Sequence, residues 1–153
     1  MKQITLATMY FLIWFALPVA AEPAFSGTNY SGIYDCQGEN QKVGKYKLEV
    51  TLKLNLVSST GRTGIYEYTA ETENSVKFYG NAIVRNRQMA ASYVLDSSRR
   101  KDEPTTGLAS IKRDANGSWS FLNHYFEPDD FGGNYGTETC MMQKKRAAAK
   151  AAE

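Results

Sequence analysis

The chain has 153 residues, of which 42% are hydrophobic and 22% charged, and its formal net charge at pH 7 is +2. The terminal segments contain five of the positively charged residues and one of the negatively charged ones, namely Lys2, Lys144, Lys145, Arg146, Lys150 and Glu153. Without them, the central part of the chain carries a net charge of about −2. A broad basic surface for nucleic acid is therefore excluded, while about 130 remaining residues suffice to bury one hydrophobic core.

Residues 1–21 have the pattern of a secretory signal peptide. Lys2 precedes an apolar run from Met9 to Leu17, and small side chains precede the predicted cleavage site before Glu22. Because this run is shorter than the roughly 20 residues that span a bilayer, we predict a periplasmic or secreted protein with no membrane anchor in the mature chain. The basic, alanine-rich residues 144–153 predict a disordered tail or frayed helix, or alternatively a surface-binding arm.

Alternation of apolar and polar residues predicts eight β-strands in a single domain, residues 22–143. In the clearest stretch, Lys45 to Val57, one face carries Tyr46, Leu48, Val50, Leu52, Leu54 and Leu56. The predicted strands are Gly32 to Gln37, Gly44 to Val57, Gly64 to Glu71, Val76 to Val84, Gln88 to Leu95, Thr106 to Arg113, Ser118 to Phe126 and Gly136 to Gln143. Short connections, including the hairpin signal Asn116-Gly117, predict that successive strands pair antiparallel.

A meander of eight strands removes its exposed edges by closing, so the predicted fold is all-β: one eight-stranded antiparallel up-and-down barrel. Strand number, meander order and the Gly-x-aromatic start Gly32-Ile33-Tyr34 resemble the calycin superfamily, the small barrels of lipocalins and avidins. Those families usually carry tryptophan where Tyr34 stands. The resemblance implies a barrel whose interior can hold a small ligand.

The only two cysteines test the closure of the predicted barrel. Cys36 lies on the first predicted strand and Cys140 on the last, so the two residues become neighbours only if the ends of the sheet meet. In an exported chain such a pair predicts a disulfide.

The sequence lacks the residues of the common catalytic chemistries. His124 is its one histidine, and neither a Gly-x-Ser-x-Gly elbow nor a phosphate-binding glycine loop occurs. We therefore predict that the protein is not an enzyme and has no cofactor. The loop from Glu127 to Gly136 clusters oxygen-bearing side chains that could bind calcium, but their spacing favours a solvated acidic turn and no metal site.

Alternation also predicts which side chains point into the barrel. They combine large aromatic residues with small ones such as Gly80, Ala82 and Ala91, which is compatible with a filled core or with a cavity. For a cavity, the predicted ligand-binding residues are Tyr66, Tyr68, Tyr93, Trp119, Asn123 and Tyr125, which supply ring faces and a few polar groups. The function predicted first is a non-enzymatic, exported protein that binds a small molecule.

The turns predict a second way of binding a partner. One set of alternate turns carries a net charge of about −5 and the opposite set about +4. The acidic set predicts a partner-binding rim of Glu127, Asp129, Asp130, Phe131 and Tyr135.

A second resemblance gives this rim a class of partner. Tyr34-Asp35-Cys36, with a second cysteine near the end of the barrel, resembles the periplasmic inhibitors of chicken-type lysozyme, whose target is a basic enzyme. The Ser-Gly-x-x-Tyr stretch associated with those inhibitors occurs here as Ser26 to Tyr30, before the first strand. The alternative function is thus inhibition of a basic hydrolase through the acidic loops, and the predicted partner is a small molecule or a basic protein.

Overall fold

The computed structural model describes residues 22–96 and 103–144, which form a closed barrel of eight β-strands. The strands are β1 Gly32–Asn40, β2 Gly44–Thr60, β3 Thr63–Thr72, β4 Lys77–Arg85, β5 Gln88–Leu95, β6 Thr105–Arg113, β7 Trp119–Glu127 and β8 Asn134–Met142. Every strand pairs antiparallel with the next, and β1 pairs with β8. The predicted fold class is therefore confirmed.

The predicted signal peptide, most of the predicted tail and part of the β5–β6 connection lie outside the described residues. In the two described ranges, no helix is long and apolar enough to cross a membrane. Predicted and observed strands differ at their ends by no more than three residues. These extensions matter, because they place Asn40 and Asn134 at the ends of β1 and β8 rather than in turns.

The seam between β1 and β8 closes the barrel and carries the disulfide. Cys36 and Cys140 are direct partners in this antiparallel pair, and their sulfur atoms are bonded. The predicted disulfide is therefore confirmed. It joins residues 104 positions apart, so it links the two ends of the sheet covalently.

The alternation of β2 ends earlier than the sequence predicts. Leu52 is 1% exposed, whereas Leu56 is 67% and Val57 98% exposed. The register between β2 and β3 shifts between Asn55 and Thr60, which is a β-bulge. The prediction that Leu56 shares the interior face is therefore wrong, because the bulge turns this part of β2 away from the core.

One end of the barrel is closed by the segment that precedes β1. The backbone N–H of Ser26 donates a 2.7 Å hydrogen bond to the carbonyl of Gly61. Tyr30 is buried and packs edge-on against Trp119, with ring centroids 4.9 Å apart. The Tyr66 hydroxyl accepts a 3.1 Å hydrogen bond from the Tyr30 backbone. Residues 22–31 thus act as a plug at this end.

Above this plug, the barrel interior is packed with apolar side chains. The buried residues of this half include Tyr34, Val50, Leu52, Tyr66, Val84, Met89, Ile111 and Phe121. Tyr34 and Phe121 contact each other with ring centroids 5.0 Å apart. The same core cluster continues to Leu48, Tyr68, Ala70 and Tyr93 on the side of the barrel away from the plug.

Candidate functional site

A cavity of about 590 Å³ occupies the other half of the barrel and opens between the β1–β2, β3–β4 and β7–β8 turns. Its apolar wall consists of Val43, Leu48, Ala70, Val76 and Phe78, together with the rings of Tyr46, Tyr68, Tyr93 and Tyr125. Polar side chains are fewer in its depth and include Asn40, Thr105, Asn134 and Glu138. Cavities of roughly 300–1,000 Å³ with such a lining are typical of small-molecule sites.

Glu138 is the charged residue in the depth of this cavity. It lies on β8 two residues before Cys140, so strand alternation points both side chains inward, and Glu138 is only 4% exposed. The Tyr46 hydroxyl donates to its Oε1 and Asn123 Nδ2 donates to its Oε2, each at 2.9 Å. Burial nevertheless raises the pKa of the Glu138 carboxyl above its usual value, because these two bonds only partly replace water.

A chain of polar groups leads from the β7–β8 loop to Glu138. Asn134 donates to the Oδ1 of Asn40, and Asn40 Nδ2 donates to the Tyr125 hydroxyl at 2.9 Å. The hydroxyls of Tyr125 and Tyr46 are 2.9 Å apart. A hydroxyl has one proton, and Tyr46 donates its proton to Glu138. In the pair of tyrosines, Tyr125 is therefore the donor and Tyr46 the acceptor. The groups therefore form one directed series that ends at the carboxylate.

Three glycines make room for this polar chain on the barrel wall. A Cβ atom at Gly38 would overlap the Tyr46 ring, one at Gly136 would overlap the Tyr125 ring, and one at Gly107 would lie 2.6 Å from Asn123 Oδ1. Gly38 is the strand partner of Tyr46, and Gly136 is that of Tyr125. These side chains can therefore lie against the sheet instead of crossing the barrel, which keeps the cavity open.

The polar wall contains buried hydrogen-bond acceptors that lack a donor. In the described part of the chain, the buried side-chain polar atoms that lack a partner are Asn123 Oδ1 and Asn134 Oδ1. The two residues are 1% and 3% exposed. Leaving a buried acceptor unpaired costs roughly 1–3 kcal/mol. Such groups therefore indicate a place where a bound molecule can supply hydrogen-bond donors.

Aromatic rings face this polar wall across the cavity. Tyr68 and Tyr93 are stacked, with centroids 4.8 Å apart and planes at 12°, and Phe78 meets Tyr93 edge-on at 6.1 Å. Burial, followed by the nearby Glu138 charge, raises the pKa of both Tyr68 and Tyr93. Both hydroxyls therefore stay neutral at physiological pH, so the rings keep their electron-rich faces without adding charge.

The structure separates the predicted ligand-binding residues into two groups. Tyr68, Tyr93 and Tyr125 line the cavity, and Asn123 hydrogen-bonds Glu138 beneath it. Tyr66 and Trp119 point inward as well, but they lie in the packed half, against Tyr30 of the plug. Alternation predicts that a side chain points inward, but its height in the barrel depends on the strand register.

Sequence reasoning missed Glu138, Tyr46, Asn40 and Asn134 as site residues. Tyr46 was predicted to point inward but not to bind a ligand. A signal for Glu138 was present, because the predicted disulfide places Cys140 at the barrel seam and alternation then places Glu138 on the same face. Asn40 and Asn134 become site residues only because β1 and β8 extend further than predicted.

The predicted rim residues divide between the cavity mouth and the outer surface. Glu127 and Asp129 line the mouth, while Phe131 is 92% exposed and Tyr135 packs on Phe126 with ring centroids 5.0 Å apart. Asp130 has an interaction partner of its own.

Asp129 organises the β7–β8 loop instead of presenting a free charge. It forms an ion pair with Lys42, and its Oδ1 accepts hydrogen bonds from the backbone N–H groups of Phe131 at 2.7 Å and Gly133 at 2.8 Å. These partners, Lys42 first, lower the pKa of the Asp129 carboxyl to about 2. Its oxygens are thus used by the loop. Within residues 22–96 and 103–144, no cluster of three or more His, Cys, Asp or Glu residues has the geometry to hold a metal ion.

No protein-family model matches this chain, and searches of curated proteins and of solved structures likewise found no match.

Proposed function

We propose that the protein is an exported, non-enzymatic carrier that binds one small organic molecule in its half-hollow barrel. The observation that carries the proposal is the 590 Å³ cavity, which opens at one end and contains a buried carboxyl group among aromatic rings. Eight-stranded barrels either fill with side chains or enclose one small ligand. The proposal is that the cavity serves as the ligand site, while the side near the plug is filled by side chains.

The chemistry of the wall supports a binding site over a packing defect. An empty space left by imperfect packing is apolar, whereas this wall contains Glu138 and two unpaired amide oxygens, at Asn123 and Asn134. Keeping these groups buried destabilises the fold, and perturbed acids of this kind are concentrated at functional sites. The disulfide is consistent with an oxidising compartment, as expected of an exported carrier.

Matched valine variants test this proposal by native mass spectrometry of protein recovered from the compartment to which it is exported. Val76 lines the mouth and is 40% exposed, while Val94 does not line the cavity and is 38% exposed. We expect a non-covalent small-molecule adduct on the wild type and on Val94→Trp, and its loss from Val76→Trp, where the indole obstructs the mouth. An adduct that survives Val76→Trp would place the binding site elsewhere.

The alternative proposal is inhibition of a basic hydrolase through the loops at the cavity mouth. The observation that favours it is Phe131, whose ring is 92% exposed on a loop that Asp129 holds in place. An exposed aromatic residue on an ordered loop is a common anchor for a protein partner.

A binding experiment with lysozyme, a basic hydrolase, tests this alternative. If the loops bind it, neutral substitutions at Glu127, Asp129 and Asp130 should slow association, and neutral substitutions at Arg85 and Arg87 at the opposite end should not. Added salt should weaken binding by the unmodified protein. Absence of binding, or equal effects of the two sets, would rule out the acidic loops as the interface.

A further inference from the structure

We infer that the bound molecule is an organic cation, an amine whose protonated nitrogen pairs with Glu138 while its carbon skeleton lies against the aromatic side chains that line the cavity. This inference rests on the proposed function and names the class of ligand for the same cavity.

The carboxyl group of Glu138 has no cationic partner among the described residues. Among the described residues, the lysines that form ion pairs do so with Asp129, Glu73, Glu67 and Glu71, and none reaches Glu138. An ionised carboxylate has about four lone-pair positions, of which Tyr46 and Asn123 use two. Buried charges in proteins are normally paired, so a ligand cation would supply the partner that this chain does not.

The buried polar atoms that lack a hydrogen-bond partner are acceptors, so they need a ligand that donates. Asn134 Oδ1 and Asn123 Oδ1 are both acceptors, and no buried side-chain donor without a partner occurs in the described ranges. Asn134 lines the cavity directly. A protonated primary amine offers three donors and no acceptor. An anionic ligand would instead face a carboxylate and amide oxygens, so the wall selects against it.

The aromatic lining of the cavity also favours a cation. The faces of tyrosine rings carry negative electrostatic potential and attract a cation within about 6 Å of the ring centre. Tyr46, Tyr68, Tyr93 and Tyr125 all line the cavity, together with Phe78. A cavity with one carboxylate in its depth and four phenol rings in its lining therefore fits a carbon-rich cation.

A simple metal ion fits this wall less well than an amine. Calcium takes six to eight oxygen ligands, and magnesium requires near-octahedral oxygen geometry. The base of the cavity supplies one carboxylate, and the Tyr46 hydroxyl and the Asn123 amide that contact it are neutral. The lining therefore favours an organic cation over an inorganic one.

The charges at the mouth balance, so selection depends on the depth of the cavity. Lys42, Lys45 and Lys47 line the mouth together with Glu73, Glu127 and Asp129. Two of these lysines form ion pairs with two of the acids, Lys42 with Asp129 and Lys47 with Glu73. Glu127 is thus a suitable control residue, because it carries the same charge at the same cavity but at the exposed end.

The test compares amines with neutral molecules of nearly the same shape, using isothermal titration calorimetry near neutral pH. The probes are 2-phenylethylamine with 2-phenylethanol, tryptamine with tryptophol, and hexylamine with hexanol. We expect at least one amine to bind the wild type about ten-fold more tightly than its alcohol, and this ratio to fall to about two-fold or less in Glu138→Gln. Glu127→Gln should keep the wild-type ratio.

A second measurement covers the case in which Glu138→Gln does not fold. The carboxyl carbon of Glu138 in the wild-type protein can be followed by ¹³C NMR while each probe is added. An amine should shift this signal and its alcohol should leave it unchanged, because only the amine forms an ion pair.

Several outcomes would overturn the inference. Equal affinity for amine and alcohol in the wild type, or an amine preference that persists in folded Glu138→Gln, would show that Glu138 does not select a cation. If Val76→Trp still abolished the native adduct, the proposed carrier function would stand. Failure of every amine to bind, with an uncharged or anionic molecule recovered from the native protein, would reject the cation and leave the carrier. Failure of every probe with no recovered adduct would reject both.

Discussion

The buried carboxyl group of Glu138 should make the ligand-free protein less stable at neutral pH than its Glu138→Gln variant. The side chain is 4% exposed, and its two hydrogen-bond donors are neutral. Glutamine preserves the shape of the group. Its carbonyl oxygen can accept from Asn123, and its amide can donate to the Tyr46 hydroxyl, whose proton then goes to Tyr125 2.9 Å away. The substitution therefore removes the charge while keeping the two hydrogen bonds that residue 138 makes.

The magnitude follows from two opposing terms. Desolvating the carboxylate costs several kcal/mol, and two hydrogen bonds to a charged acceptor contribute roughly 1.5–3 kcal/mol each. Because the pKa of Glu138 is raised, desolvation exceeds the hydrogen bonds. We expect Glu138→Gln to increase the free energy of unfolding by about 1–2 kcal/mol at about pH 8. For a domain of this size that corresponds to an increase in Tm of about 3–6 °C.

The stability difference should depend on pH in a defined direction. The pKa of the Glu138 carboxyl group in the folded protein lies above its ordinary value of 4.5. Below pH 4.5 the group is protonated and does not destabilise the fold. It becomes destabilising as pH rises through the folded pKa. The Tm difference between variant and wild type should thus be small near pH 4 and increase as pH rises above 4.5. Tyr46, Tyr68, Tyr93 and Tyr125 face Glu138, but their pKa values are raised above 10 and they do not titrate in this range.

Differential scanning calorimetry across this pH range supplies the measurement. Both proteins are refolded from denaturant with the disulfide intact, so that no ligand contributes to Tm, and Glu127→Gln serves as the control for removing an exposed carboxylate. If Glu138→Gln were less stable than the wild type at pH 8, or if the difference did not change with pH, the account of the buried charge would be wrong.

Three further predictions test the fold and its loops. Leu52→Asp should lower the free energy of unfolding by more than about 3 kcal/mol, because it buries a carboxylate. Leu56→Asp, beyond the bulge, should change the free energy of unfolding by no more than about 0.5 kcal/mol. Similar denaturant midpoints for the two variants would refute the bulge. Replacing Cys36 and Cys140 together with serine should cost about 2–5 kcal/mol in urea unfolding, and an unchanged midpoint would show that the seam is stable without the bond. Asp129, with its lowered pKa, stabilises the fold above its ordinary pKa of 3.8, and this contribution should be lost as pH falls towards 2. Acid unfolding of Asp129→Asn should lack this component, and identical acid profiles would exclude the loop ion pair as its source.

The strands and the closure of the barrel could be predicted because they depend on local alternation and on two cysteines. Alternation with a period of two identifies an inward face without knowledge of the partner strand. The disulfide then follows from the requirement that the first and last strands meet. Both kinds of evidence lie within short stretches of sequence, and the structure confirms them.

The division of the barrel into a packed and a hollow half could not be predicted in the same way. Tyr66 and Tyr68 are both inward residues of β3, yet one contacts the plug and the other lines the cavity. Which height a residue occupies depends on the register of every strand pair around the barrel. The bulge after Asn55 likewise depends on how β2 pairs with β3, because the alternation of apolar and polar residues continues through Leu54, Asn55 and Leu56.

The polar site was missed for a different reason. Glu138 is inward by the same alternation that places Cys140, but an acid on a predicted barrel strand is expected to face solvent when composition alone is considered. Its burial depends on donors from β2 and β7, Tyr46 and Asn123, which are 92 and 15 residues away. Such a group can be recognised only when the neighbouring strands are assembled around it.

The binding of a cationic small molecule in the cavity can be tested by a crystal structure of the protein isolated from the compartment to which it is exported. We expect electron density for one small molecule in the cavity, with a nitrogen within hydrogen-bond distance of Glu138 and its skeleton against the aromatic side chains of the lining. A cavity filled by the protein's own side chains, or one that contains only water in protein isolated in this way, would contradict this expectation.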